Sequence, residues 1–255
     1  MKRIPDSYID LTVTSPPYDN LRTYNGFEWD FEGIAKELYR VTKDGGVVVW
    51  VVGDATVNGS ETGTSFRQAL YFKEIGFRLH DTMIYEKENP IPLTHNRYEQ
   101  KFEYMFIFSK GKPKTFNAIM RENLTAGAKQ SGTFRHDGDI LTQRNSDGMI
   151  KRKSYRYNIW KYSVGRGGTT SDLYAFKHPA MFPEKLSEDH IISWSNPGDI
   201  VFDPFVGSGT TAKMAVLNDR KYIGIDISEE YVEIARRRVD EALAKKEGDQ
   251  SSDNY

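Results

Sequence analysis

Two short segments hold residue types whose spacing suits chemistry. The first, Asp203-Pro204-Phe205-Val206-Gly207-Ser208-Gly209-Thr210-Thr211, reads as a strand end, a glycine loop and a helix start, and Asp226 follows 23 residues after Asp203 at the next strand end. Glycines let a ligand approach the backbone and leave helix amide groups facing it. An acidic residue one strand later can accept hydrogen bonds from both ribose hydroxyls, so the pair points to an adenosine cofactor. Without that acid the loop reads equally well as a tight strand-to-helix turn. The second segment is Thr14-Ser15-Pro16-Pro17-Tyr18. Consecutive prolines keep local carbonyls out of any ladder and free to accept hydrogen bonds, and Tyr18 adds a flat aromatic face. Ser15 Oγ and the Pro16 carbonyl can then take the two protons of an NH₂ group while Tyr18 stacks on its ring, a description that a nucleobase fits. Taken alone, the tetrapeptide also reads as an ordinary proline turn.

Composition removes competing chemistries. The 255 residues include no cysteine, which excludes disulfides, thiolate nucleophiles and cysteine zinc sites. His80, His95, His136, His178 and His190 show no metal-ligand spacing, so no metal is expected. The formal charge of −1 hides an asymmetry: residues 110–168 hold 13 Lys and Arg against 4 Asp and Glu, and the rest holds 22 against 32. A basic segment inside an acidic body is the footprint of contact with a polyanion, the alternative being a solvated polar insertion. The longest strongly apolar stretch, Val47 to Val52, is far short of the about 20 residues of a membrane helix. No apolar run follows the basic start Met1-Lys2-Arg3, so no secretory signal is expected and a cytoplasmic location is the default.

The elements that must position these segments follow from periodicity. Ile9 to Thr14 reads as a buried strand stopped by the prolines, Phe31 to Val41 as a helix with apolar residues at 31, 34, 35, 38 and 41, and Val47 to Val52 as a central strand after an Asp44-Gly45-Gly46 turn. A helix over Phe66 to Ile75 and strands over Phe77 to Tyr85 and Tyr104 to Phe108 follow. Pro183 to Trp194 reads as a helix with proline in its first turn, Ile200 to Asp203 as a strand, Lys213 to Leu217 as a helix and Tyr222 to Ile227 as a strand, with Ser228 capping a long final helix. Alternating strands and helices predict an α/β fold with a mostly parallel sheet, and ligands bind at the carboxyl ends of such strands. The expected division is a catalytic half over 1–110, a basic recognition insertion over 111–168, a cofactor half over 169–246 and a polar tail over 247–255 that is expected to be disordered.

Together, Ser15-Pro16-Pro17-Tyr18 and the Asp-Pro-Phe-x-Gly-Ser-Gly-Thr-Thr loop resemble the amino-group DNA methyltransferases, which use S-adenosylmethionine to make N4-methylcytosine or N6-methyladenine. Arg22-Thr23-Tyr24, Tyr104 to Lys110, Asn158-Ile159-Trp160 and His178-Pro179-Ala180-Met181-Phe182-Pro183-Glu184-Lys185-Leu186 also fall where that family has motifs. Catalytic loop first and cofactor loop last is the circularly permuted order of its β group, whose recognition region lies between them. The resemblance implies a Rossmann-like methyltransferase fold with helices on both faces of the sheet. It also implies that Asp203, Phe205, Gly207 and Gly209, with Pro204, Ser208 and Thr210 beside them, wrap the methionine part of the cofactor. Asp226 would bind the ribose, and His178, Phe182, Pro183 and Glu184 would complete the pocket. The family's short upstream Gly-Asp segment has no counterpart between Met1 and Ile9, which leaves open another start, a trimmed chain or weaker cofactor affinity.

The missing cysteine agrees, since methylation at cytosine C5 needs a thiolate to attack the ring. An exocyclic amine remains as acceptor, and it must be rotated out of the duplex at a cost of a few kcal/mol that stacking on Tyr18 partly offsets. Ser15, Pro16, Pro17 and Tyr18 are the catalytic candidates. Serine at position 15 favours cytosine N4, because relatives acting on adenine more often carry aspartate there. Arg22 and Tyr24 are placed to hold phosphate or cover the flipped base. Lys151, Arg152, Lys153 and Arg156 alternate with Tyr155 and Tyr157 in a pattern suited to DNA backbone contact. The Arg236-Arg237-Arg238 run, ringed by acidic residues, reads as a solvated face. Double-stranded DNA is the expected partner, with S-adenosylhomocysteine as product, and the resemblance leaves a homodimer and a cognate restriction endonuclease open in a prokaryote or phage. A DNA-binding module that uses S-adenosylmethionine only as a ligand, and methylation of RNA or a protein amide, are the competing readings. A nicotinamide dehydrogenase would leave the proline loop unexplained.

Overall fold

The computed structural model describes residues 1–17, 30–90, 96–129, 133–136, 140–143, 148–178 and 181–252. In chain order its strands are β1 (Ile9–Thr14), β2 (Thr42–Val52), β3 (Thr56–Val57), β4 (Ser60–Glu61), β5 (Arg78–Lys87), β6 (Phe102–Ser109), β7 (Met120–Glu122), β8 (Thr133–His136), β9 (Ile140–Gln143), β10 (Lys153–Tyr155), β11 (Ile159–Tyr162), β12 (Ile200–Asp203) and β13 (Lys221–Gly224). The helices are α1 (Phe31–Val41), α2 (Thr64–Glu74), α3 (Glu184–Trp194), α4 (Thr210–Leu217) and α5 (Glu229–Ser252), with a 3₁₀ helix at Leu173–Lys177. Residues 1–117 and 158–255 make one compact unit, and residues 118–157 make a second.

The first unit is built on a seven-stranded sheet of order β11-β5-β6-β2-β1-β12-β13. Only β6 runs against its neighbours; every other adjacent pair is parallel. This is the mostly parallel α/β sheet that the sequence predicts. Its central strands are apolar on both faces because helices cover both. Val48, Trp50 and Val52 of β2 join Phe106 and Phe108 of β6 against Leu38 of α1 and Phe72 of α2. On the opposite face Met105 of β6 meets His190 of α3, Sδ to Nε2 3.2 Å. Leu38 is fully buried, so Leu38→Ala would cost about 3 kcal/mol in transfer and cavity terms.

Three expectations need correction. Asp44-Gly45-Gly46 does not precede β2 as a separate turn but lies inside it, as an irregularity where the pairing to β1 jumps from Ile9↔Thr42 to Leu11↔Val47. Backbone bonds from Gly45 N to Lys110 O and from Lys110 N to Gly46 O keep the bulged stretch attached to the end of β6. Ile159–Tyr162, within the expected insertion, is an edge strand of the main sheet, its Trp160 and Tyr162 buried and alternating with exposed residues. The stretch over 247–252, expected as a disordered tail, continues α5. Lys246 anchors that end through Val216 O and Asp219. Within the second unit, β7 and β10 pair antiparallel, as do β8 and β9.

Candidate active site

Connections on either side of the β1/β12 pair leave in opposite directions. From β12 the chain passes through α4 to β13, whereas from β1 it passes through α1 to β2 on the other flank. Such a switch point opens a crevice outside the carboxyl ends of the two strands. The two segments singled out in the sequence lie there. Thr14, the last residue of β1 and the one before Ser15, donates its hydroxyl to Asp203 Oδ1 at 2.6 Å, across 189 residues of chain. Thr211 at the start of α4 donates to Val13 O at 3.0 Å, and Phe205 N donates to Asp203 Oδ1 at 3.0 Å.

Asp203 is 3% exposed. Burial pushes its carboxyl up to about 6, against the opposing hydrogen bonds from Thr14, Phe205 and Thr211, and the nearby Asp226 charge adds to the rise. Pro204 is buried, and the Phe205 ring meets Trp50 edge-on with centroids 6.3 Å apart. Gly207 takes φ +47 and Gly209 φ +85, left-handed values natural to glycine. Close approach matters as much as φ here. A Cβ on Gly207 would stand 2.7 Å from His178 Nε2, and one on Gly209 would stand 2.7 Å from Ala235 Cα and Cβ. The His178 ring, which also meets Tyr231 edge-on at 4.5 Å, therefore lies directly on the glycine loop. Asp226 follows β13 and binds the loop from the other side, Oδ2 accepting from Gly207 N and Oδ1 from Ser228 N, both at 2.9 Å.

This constellation fits the cofactor that the resemblance implies. Asp226 has one protein donor on each oxygen, and each oxygen retains a second lone pair for a hydroxyl donor. Asp203 supplies a buried negative charge suited to a cationic ligand. Ser15 is partly buried, Pro16 buried and Pro17 partly buried at the mouth of the same pair of strands. Tyr18, Arg22 and Tyr24 lie outside the described residues.

The other expected cofactor residues differ in their surroundings. Ser208 and Thr210 are buried and turned to α5: Arg238 Nη1 donates to Ser208 O at 2.9 Å, Ser208 Oγ at 3.3 Å and Thr210 Oγ1 at 3.2 Å. Phe182 is partly buried and Pro183 buried, Pro183 being the residue before α3. Glu184 Oε1 accepts from Thr170 at 2.6 Å, Lys213 at 2.9 Å and Arg238. That one oxygen is thus committed to protein donors. Arg238, read from the sequence as part of a solvated face, is 1% exposed and binds Asp172 through Nε at 2.8 Å. Burial would raise the Asp172 pKa, but bonds from Lys213 and Arg238 outweigh it and hold the carboxyl below its ordinary value. Helical phase was the signal for this residue: Arg238 shares a stripe with the buried Ala235, Val239 and Ala242, whereas Arg236 and Arg237 fall off it.

In the second unit Lys151, Arg152 and Lys153 are exposed and Arg156 partly so. Arg152 and Lys153 both approach Glu122, at 3.3 and 3.6 Å. The Arg121 guanidinium stacks 4.1 Å from the Tyr157 ring centre. Among the described residues no group of three or more acidic or histidine side chains could hold a metal, and no helix is long and apolar enough to cross a membrane.

Comparison with known proteins decides the family, since the model for DNA methylases matches residues 9–237. The chain belongs to the DNA methylase family. This methylase is 61% identical over 241 residues to the orphan methyltransferase M.BamHII of Bacillus amyloliquefaciens, covering 93% of this chain and 91% of that one. It is 29% identical over 255 residues to the DNA adenine methyltransferase YhdJ of Escherichia coli K12, covering 95% and 80%. Among solved structures, the cytosine-N4-specific PvuII DNA methyltransferase superposes with a TM-score of 0.68 at 24% identity, covering 93% of this chain and 81% of that one. M1.HpyAVI in complex with SAM superposes with a TM-score of 0.56 at 23% identity, covering 91% and 89%. The methylase thus shares its fold with a cytosine-N4-specific DNA methyltransferase and with a protein solved with bound SAM.

Proposed function

We propose that this DNA methyltransferase moves a methyl group from S-adenosylmethionine to the exocyclic amine of a base rotated out of duplex DNA at specific sites, with cytosine N4 as the acceptor. One observation carries the reading: the Thr14–Asp203 hydrogen bond ties the end of the Ser-Pro-Pro strand to the start of the glycine loop at a single crevice. The cofactor supplies an electrophilic methyl on a sulfonium centre. The chain's own residues bind and orient. Asp203 provides buried negative charge and Asp226 acceptor oxygens for a ribose diol, while Gly207 lets the His178 ring rest on the loop as a wall and Gly209 lets α5 pack against it. Ser15 Oγ and the Pro16 carbonyl accept the two amine protons, which withdraws the nitrogen lone pair from the ring and makes it nucleophilic. Ser15 and Pro16 accept hydrogen bonds and not the protons themselves: once methylated, the nitrogen is cationic and gives one N–H proton to water, so no strong general base is needed. In this reading Tyr18 stacks on the flipped base, Arg22 and Tyr24 flank it, and Lys151, Arg152, Lys153 and Arg156 bind the DNA backbone from the recognition segment over 111–168.

Serine at position 15 favours cytosine N4, whereas the similarity to an adenine methyltransferase at 29% identity favours adenine N6. The 61%-identical relative, described as an orphan methyltransferase, supports an enzyme that works without a paired nuclease. The test is incubation with S-adenosylmethionine and methylation-free genomic DNA, followed by mass spectrometry of the nucleosides. N4-methylcytosine is the expected product. N6-methyladenine would overturn the role given to Ser15, and no methylated nucleoside would overturn the reaction.

A further inference from the structure

Arg238 is a buried cation that neither the glycine loop nor the proline loop contains, yet it touches both walls of the cofactor crevice. One edge of its guanidinium, Nη1, bonds the glycine loop at Ser208 O, Ser208 Oγ and Thr210 Oγ1. Its other edge bonds a separate segment, with Nε on Asp172 Oδ2 and Nη2 on Thr170 Oγ1 and Glu184 Oε1. That second segment carries His178, whose ring rests on Gly207. Lys213 of α4 braces the same two carboxylates at 2.7 and 2.9 Å, so two cations face two anions and the cluster is neutral.

We infer that Arg238 is a positioning residue for the cofactor site, a latch that holds the stretches over 170–178 and 181–184 to the glycine loop so that both walls present one fixed shape. Arginine suits this role because its planar fork donates in several fixed directions at once, whereas a lysine ammonium at the same place is a single point that cannot reach both walls. The inference rests on the proposed use of the crevice for S-adenosylmethionine.

The test is Arg238→Lys, which keeps the charge and loses the span. Its affinity for S-adenosylmethionine and S-adenosylhomocysteine, measured by calorimetry well below the melting point, is expected to fall by about ten-fold or more, with kcat at saturating cofactor within about two-fold of the unmodified enzyme. Hydrogen exchange should quicken together in peptides over 170–178, 181–184 and 207–211 and stay unchanged in the central strands. A purely structural role would lower the melting temperature and leave the cofactor affinity of the folded protein unchanged, and that result would overturn the inference. Thr170→Val and Asp172→Ala each remove one arm while leaving Arg238 in place, and serve if Arg238→Lys does not fold. Weaker cofactor binding is expected in both, and unmodified affinity in both would equally overturn the latch. If the unmodified protein binds neither cofactor form, the proposed function fails instead, so the two failures are told apart.

Discussion

The Asp203 carboxyl makes cofactor binding depend on pH in a calculable way. The group titrates near 6 in the folded protein, raised from an ordinary 3.8 by burial at the end of β12. A ligand cationic at sulfur prefers the ionised form. With a pKa near 6, about one molecule in eleven is ionised at pH 5 and nearly all are at pH 8, so affinity for S-adenosylmethionine should weaken about ten-fold between pH 8 and pH 5. Binding near pH 6 should release protons, detectable by calorimetry in buffers of different ionisation enthalpy. The same shift acts on the free protein. The folded pKa lies above the unfolded one, so the stabilisation from the protonated group is complete below about 4 and is lost as pH rises through about 6, a difference of about 3 kcal/mol. Asp203→Asn keeps an Oδ1 that can accept from Thr14 and Phe205. It should therefore melt higher than the unmodified protein above pH 6, bind the cofactor weakly and lose the pH dependence. A flat affinity from pH 5 to 8 in the unmodified protein, or an unchanged pH profile in Asp203→Asn, would refute the role of this charge.

Gly209→Ala forces a Cβ to within 2.7 Å of Ala235 on α5 at φ +85, which should cost about 3 kcal/mol and lower the melting temperature by about 10 °C; a drop under about 2 °C would show that α4 and α5 tolerate separation. Asp226→Ala removes the acceptor for Gly207 N and Ser228 N and is expected to weaken S-adenosylmethionine binding at least about ten-fold with the circular dichroism spectrum retained; equal affinity by calorimetry would remove Asp226 from the ribose role. DNA affinity should fall steeply with salt, each neutralised phosphate adding about 0.9 to the logarithmic slope. Glu122→Gln should tighten DNA binding, since Glu122 competes for Arg152 and Lys153; gel-shift titration showing weaker binding would contradict this.

Much of the fold was legible because burial leaves a periodic trace. Ile9–Thr14 and Phe31–Val41 have the bounds that apolar spacing predicts, since each ends where proline or the next strand changes the backbone. The long strand β2 was read too short because glycines at 45 and 46 signal a turn whether or not the ladder resumes around them. β11 was read as insertion because four residues are too few to show alternation until their partner β5 is known. Within the crevice, the residues that advertise chemistry by type were visible: the glycines, the two aspartates and the proline loop. Those that act through hydrogen bonds with distant partners were not. Thr14, Thr170 and Asp172 look ordinary in sequence, and Arg238 was hidden by its neighbours, because charge runs suggest solvent while helical phase places this one arginine inside. Glu184 is the related case: its motif suggests a cofactor residue, and the three donors that its Oε1 accepts from, Thr170, Lys213 and Arg238, leave no trace in the motif.

The 189-residue separation between Thr14 and Asp203 has a consequence for how the protein is made. In the finished sheet β1 lies between β2 and β12, but a ribosome releases β12 last of the three. At about 5–20 residues per second, the interval between the two strands leaving the tunnel is roughly 10–40 s. Through that interval β1 is a bare edge with Leu11 and Val13 along it, the kind of edge on which foreign strands nucleate aggregates. Arrival of β12 closes the edge and brings Asp203 to Thr14, and the rest of the crevice, Asp226 and Arg238, follows it out of the tunnel. A nascent chain therefore has an unprotected sheet edge until β12 emerges, and chaperone dependence should end shortly before binding competence begins.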